Sequence, residues 1–182
     1  MGMEFLSAPY LDESHGGFYS LSDANRARVD HIESSLVFWP YMAIVDAFQH
    51  WVYERPQEGS DPNKCDQKWA ELERRFRPHL DWSGYEEIMK TGWQRKNHIH
   101  HVPFYYIEYG LALLGAVQIW ANAIKDQSGA VRLYRQALAL GGTATLPDLF
   151  KAAGVKLAFD ANTLKTGVDL MERTILELEA GY

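Results

Sequence analysis

Apolar residues recur three and four positions apart over a long stretch of this chain: Val29, Ile32, Leu36, Val37, Ala43, Ile44, Ala47, Phe48 and Trp51. That spacing lines one face of an α-helix and is wrong for the alternation of a strand. Ser22 is placed to cap the helix and Arg55-Pro56 to end it, so a single element over about residues 23–54 is expected. At 1.5 Å per residue it would be roughly 45–50 Å long. A helix of that length belongs to a larger domain more readily than to a small compact one. Pro40 lies inside it, and a proline removes a helical hydrogen bond and crowds the preceding turn. A kink is therefore expected around residues 38–41.

Helix signals continue downstream. Asp61 caps a helix with Pro62 at its first position, Trp69, Leu72 and Phe76 form its buried stripe, and Pro78 stops it. Ser83 and Glu86 have the spacing of a capping box that opens a helix toward His98. Pro103 restarts the chain into an apolar helix over about residues 104–125. Its Gly110, Ala112, Gly115 and Ala116 keep one side slim for a close neighbour. A helix over about residues 130–140 ends at Gly141-Gly142, a short one opens at Thr145 and Pro147, and Asp160 or Asn162 caps the last. Strand signals are few and no repeat period is present. The expected fold class is all-α, with residues 1–182 as a single helical unit.

Composition narrows the function classes. The 182 residues carry a net charge of -6, with no long basic run, which argues against broad nucleic-acid binding. One cysteine, Cys65, leaves no internal disulfide to form. No basic-plus-apolar leader opens the chain. The most apolar stretch, residues 109–123, is broken by Gln118 and Asn122 and is short for a membrane span. A soluble cytoplasmic protein with no membrane partner is expected. Met3-Glu4-Phe5-Leu6 reads as the tail of a helix whose earlier turns are missing, as in a piece of something longer.

The densest set of chemically useful side chains is Asn97-His98-Ile99-His100-His101, followed by Val102-Pro103-Phe104-Tyr105-Tyr106-Ile107-Glu108-Tyr109. Histidines bind metal, move protons or donate to a developing oxyanion, and tyrosine hydroxyls do the last without a change of charge. As an intrinsic metal site the cluster is weak, because a helix offers ligands at i and i+4 and His-Glu-x-x-His occurs nowhere in the sequence. A helix end with exposed histidines over packed tyrosines is the plain alternative. His50, between Phe48 and Trp51, reads as a packed or capping histidine. Asp30, His31 and Glu33 read as a charged turn, and Ser14-His15-Gly16-Gly17 as a turn without a nucleophile elbow.

Residues 98–112, His-Ile-His-His-Val-Pro-Phe-Tyr-Tyr-Ile-Glu-Tyr-Gly-Leu-Ala, resemble the His-and-Tyr segment of the oligoendopeptidase F family, relatives of thimet oligopeptidase. Residues 3–11, Phe38-Trp39-Pro40-Tyr41, residues 46–51 and residues 137–142 look familial in the same order, so the resemblance covers essentially the whole chain. It implies the helical lobe of a zincin-like oligopeptidase catalytic domain, flanking a channel for short peptides. In that family a zinc held by His-Glu-x-x-His and a later glutamate activates water, with the motif's glutamate as general base.

The resemblance implies His98 or His101, with Tyr105, Tyr106 and Tyr109, as catalytic contacts to the scissile carbonyl and its tetrahedral successor. It adds His100, Glu108 and Gly110 as substrate-binding residues. Glu4 matches a glutamate beyond the family's third ligand, so all three ligands would lie upstream. Zinc is thus expected in the complete enzyme and none in this chain alone. The expected partners are a short peptide, an upstream polypeptide carrying the zinc motif, and other copies meeting through exposed apolar surface. A helical peptide-binding module without hydrolysis is the second reading, and a metal enzyme built on His98, His100 and His101 the third.

Overall fold

A computed structural model describes residues 1–180 as ten α-helices and four short 3-10 turns, with no strand among the described residues. The helices are α1 (Gly2–Ser7), α2 (Leu21–Glu54), α3 (Pro56–Gly59), α4 (Pro62–Phe76), α5 (Glu86–Lys90), α6 (Asn97–His101), α7 (Ile107–Lys125), α8 (Gln127–Leu140), α9 (Leu146–Ala152) and α10 (Ala161–Glu179). The all-α class expected from the spacing is what is found. Packing groups these elements into two compact units, Met1–Leu36 with the residues from Leu111 onward, and Val37–Gly110. From sequence, the chain was expected to be a single unit.

The long helix begins two residues before the expected start. Ser20, not Ser22, is its cap: the Asp23 amide donates to Ser20 Oγ at 3.1 Å, and that hydroxyl donates to the Asp23 carboxylate at 2.7 Å. The helix runs on through Pro40. The expected apolar stripe is only part of the burial. Val37 is 55% exposed, whereas Trp39, Met42, Val45 and Gln49 are buried along with Ile44, Phe48 and Trp51. Beyond Leu36 the helix is enclosed on several sides, so no single face describes it.

In the first unit, Phe5 stacks on Trp120 with ring centroids 5.0 Å apart, and it lies 4.6 Å from the His31 ring. Val29, Ile32, Leu113, Val117 and Met171 are buried in the same unit. The polar interruptions in the apolar α7 have partners. Gln118 donates to the Lys156 carbonyl and accepts from its amide, at 2.9 and 3.1 Å, and Asn122 donates to the Gly154 carbonyl at 3.0 Å. These bonds satisfy the backbone of a segment that has no helix of its own. By length and composition α7, at 19 residues, could cross a membrane, and half of its apolar window is buried. Its small residues admit neighbours as expected: a Cβ on Gly115 would come within 2.7 Å of the Phe150 ring. Near the start of the chain, Asp12 and Ser14 both meet Nδ1 of His15, so the turn has no relay through two ring nitrogens.

In the second unit, Phe48 meets Trp69 edge to face at 5.3 Å, with Trp51 and Trp93 at 5.9 and 5.8 Å. Ile44, Val45, Cys65, Leu72 and Met89 complete this core. The Asp61 cap and Pro62 opening of α4 form as expected, with Asn63 N–H donating to Asp61 at 2.9 Å. Glu73 is buried, and Arg77 at the end of α4 holds both of its carboxylate oxygens. A buried carboxylate needs such a partner.

Candidate functional site

The histidine-rich segment is reached by a broken path rather than by the continuous helix expected from Ser83 and Glu86. Asp81 accepts from both the amide and the hydroxyl of Ser83, at 2.9 and 2.7 Å. Ser83 is thereby turned back toward Asp81 and makes no capping box; α5 has no side-chain cap. A 3-10 turn over Gly92–Arg95 then leads to the five residues of α6.

The next helix also starts later than expected, at Ile107. Phe104 has a φ of 63°, the only positive value at a non-glycine residue among those described. A left-handed conformation at such a residue costs roughly 1–3 kcal/mol and persists where the surroundings hold it. Here the Phe104 amide donates to Oε1 of the buried Gln49 at 2.8 Å. The Phe104 ring lies 4.9 Å from Tyr53 and 5.0 Å from His50. His50 is therefore packed on Phe104 and is not enclosed by Phe48 and Trp51. Its Nε2 lies 3.7 Å from Asp46, whose carboxyl burial pushes up.

This turn gathers four of the expected catalytic residues. The His98 ring is 5.0 Å from Tyr106, 5.8 Å from Tyr109 and 6.3 Å from Tyr105, parallel to the last. Tyr105 and Tyr109 meet edge to face at 5.4 Å. Tyr105 is exposed and Tyr109 half-buried. The Tyr109 hydroxyl is held above its usual range, first by the neighbouring Tyr105 hydroxyl and then by desolvation and nearby charge. It therefore stays protonated, and able to donate, at neutral pH.

Tyr106 differs. Its side chain is buried, burial pushes its hydroxyl up, and that hydroxyl accepts from Nζ of Lys96 at 2.9 Å. The same ammonium lies 4.3 Å from the Tyr106 ring centre and 4.8 Å from that of Tyr41. A cation placed near two ring faces gains from both.

The remaining expected residues are not in the cluster's ring contacts. His100 is exposed, with its ring 5.9 Å from Trp93, and His101 and Glu108 are exposed. Gly110 is buried: its carbonyl accepts from Trp39 Nε1 at 3.1 Å, and a Cβ there would come within 2.3 Å of Met42 Cε. Among the described residues no three His, Cys, Asp or Glu side chains are grouped to hold a metal ion. Two cavities, of about 920 and 390 Å³, are lined by residues of the first unit and by none of the His98–Gly110 set. Lys96, Gln49, Tyr41 and Trp39 were not singled out from sequence as parts of the site. Lys96, two residues before His98, is near enough in sequence to have been noticed; the others come from α2 and are brought in by folding.

The model for peptidase family M3 matches residues 4–167. Among solved structures, PZ peptidase A with inhibitor 2 aligns with a TM-score of 0.84 and 30% identity, over 97% of this chain and 30% of that one. A protein assigned as oligoendopeptidase F gives 0.82 and 32%, over 96% of this chain and 30% of that one. Another with the same assignment, from Bacillus anthracis str. Ames, gives 0.73 and 27%, over 98% and 27%. The chain thus spans less than a third of the length of these solved relatives. No curated protein matches it by sequence.

Proposed function

The chain belongs to peptidase family M3, and from that premise we propose that it supplies the His/Tyr substrate contacts of a zinc metallopeptidase that cleaves short peptides. The observation that carries this is the His98 ring set among Tyr105, Tyr106 and Tyr109, all within 6.3 Å. Tyr105 and Tyr109 expose hydroxyls beside it. Neutral donors of this kind bind a peptide carbonyl and bind its tetrahedral oxyanion more strongly, because the negative charge grows on the oxygen they face. His98 is assigned the same task from the imidazole edge. His101, His100 and Glu108 are left as outer contacts to the peptide.

The residues present do not fit a zinc site of the family's kind. The sequence has no His-Glu-x-x-His, and the described residues hold no group of three ligands. In this reading zinc and the water-activating glutamate are supplied from upstream of these residues, and no step through the metal is assigned to this chain. The cytoplasm is the proposed compartment.

Hydrolysis of a quenched fluorescent peptide tests the reading, with zinc, with and without a chelator. We expect no turnover from the chain alone and chelator-sensitive turnover when a polypeptide bearing the family's zinc motif is added. Chelator-sensitive turnover from the chain alone would overturn the division of labour and turn attention to His98, His100 and His101. The missing motif also favours a second reading, a peptide-binding module without hydrolysis. That reading predicts peptide binding by the chain and no gain of turnover on mixing.

A further inference from the structure

We propose that Gln49 is a positioning residue for the His98–Tyr109 cluster, holding Phe104 in its left-handed conformation and so directing Tyr105 and Tyr106; the proposal rests on the peptide-contact role given to that cluster. Gln49 is 1% exposed, and its Oε1 accepts the Phe104 amide across 55 residues of sequence. The other backbone bonds of this turn are local: Tyr105 to Val102, Glu108 to Tyr105, and Tyr109 to Tyr106. Gln49 therefore provides the backbone bond that ties the turn to a buried helix.

The orphaned half of the same amide strengthens the case. Gln49 Nε2 is buried without a hydrogen-bond partner among the described residues. A hydrocarbon side chain of similar size would fill this position without leaving a donor unsatisfied. Glutamine at this position is accounted for by what its oxygen does. Phe104 is the residue that needs it, since a left-handed phenylalanine has no intrinsic reason to stay so. Its neighbours in sequence are Pro103, which restricts the approach, and Tyr105, whose direction follows from the Phe104 dihedrals. Packing of the Phe104 ring on Tyr53 and His50 supplies the second hold.

The test uses the full chain with Gln49→Leu, Gln49→Glu and the double change Gln49→Leu/Phe104→Gly. Amide hydrogen exchange at residue 104 and NMR contacts between the His98 and Tyr105 rings are the readouts. Binding of a fluorescein-labelled pentaalanine peptide is measured in parallel. Gln49→Leu is expected to speed exchange at Phe104 by about tenfold and weaken the ring contacts, while amides in the middle of α4 keep their protection. Gln49→Glu keeps the acceptor and restores the slow exchange. In the double variant glycine adopts the left-handed turn unaided, and the His98–Tyr105 contacts return.

Unchanged exchange and ring contacts in Gln49→Leu would overturn the proposal. So would failure of Gln49→Glu to protect Phe104, which also decides the matter if Gln49→Leu does not fold. Disturbed ring contacts with unchanged peptide binding would leave the positioning role standing and count against the peptide-contact reading instead.

Discussion

Tyr105, Tyr106 and Tyr109 have one side chain and three environments. Tyr105 and Tyr109 lie four residues apart in sequence, and their rings meet. The left-handed Phe104, which delays the helix to Ile107, was not legible, because the bond that holds it comes from Gln49. Nor was the burial of Tyr106 under Lys96, which lies one residue before the segment singled out. The difference has a measurable consequence. Tyr106→Phe leaves Lys96 without its acceptor and should lower stability by about 1 kcal/mol in chemical denaturation. Tyr105→Phe and Tyr109→Phe should instead each lower turnover of the assembled enzyme, by about 10²-fold if each is an oxyanion donor. Turnover unchanged in both would remove these hydroxyls from the mechanism.

At the scale of the element, the helices legible from sequence are those whose caps are unambiguous. Asp61-Pro62 opens α4, Gly141 closes α8, and Asp160 opens α10. Ser83 failed as a cap because Asp81 competes for its amide and hydroxyl at shorter range than a helix terminus can. The α10 cap predicts a pH dependence. The Asp160 carboxyl is held down at about 2, first by the Thr163 amide and then by Lys156 and the Thr163 hydroxyl. A folded value below the unfolded one means that the cap stabilises fully above the unfolded value, near 3.8. That contribution is lost as pH falls through the folded value of about 2. An NMR titration should find the Asp160 midpoint near 2, and Asp160→Asn should remove this part of the acid sensitivity of α10. A midpoint at the ordinary aspartate value would mean that the cap is open in solution.

For the whole molecule, the apolar residues left outside the cores matter most. Phe18 is 95% exposed, Phe159 78%, Leu176 67% and Met3 65%. Single exposed apolar residues are normal, but this many large ones favour association. Sedimentation velocity should show association that rises with protein concentration and weakens when Phe18 and Phe159 are replaced by serine. A strictly monomeric chain at all concentrations would remove the proposed contact between copies. If a polypeptide bearing the zinc motif covers the same residues, adding it should suppress self-association, since both would compete for one surface.

Sequence by itself determined the helical class, the principal caps and the family resemblance, all of which depend on residues close together in the chain or on order along it. It also brought the histidine and tyrosine run into view. Only the tertiary structure decided which members of that run face solvent. That choice depends on Gln49, Lys96 and Trp39, whose bonds to Phe104, Tyr106 and Gly110 form only after the chain has folded back on itself. Periodicity records which face of a helix is apolar. It carries no record of a buried amide reaching across 55 residues to hold one backbone N–H.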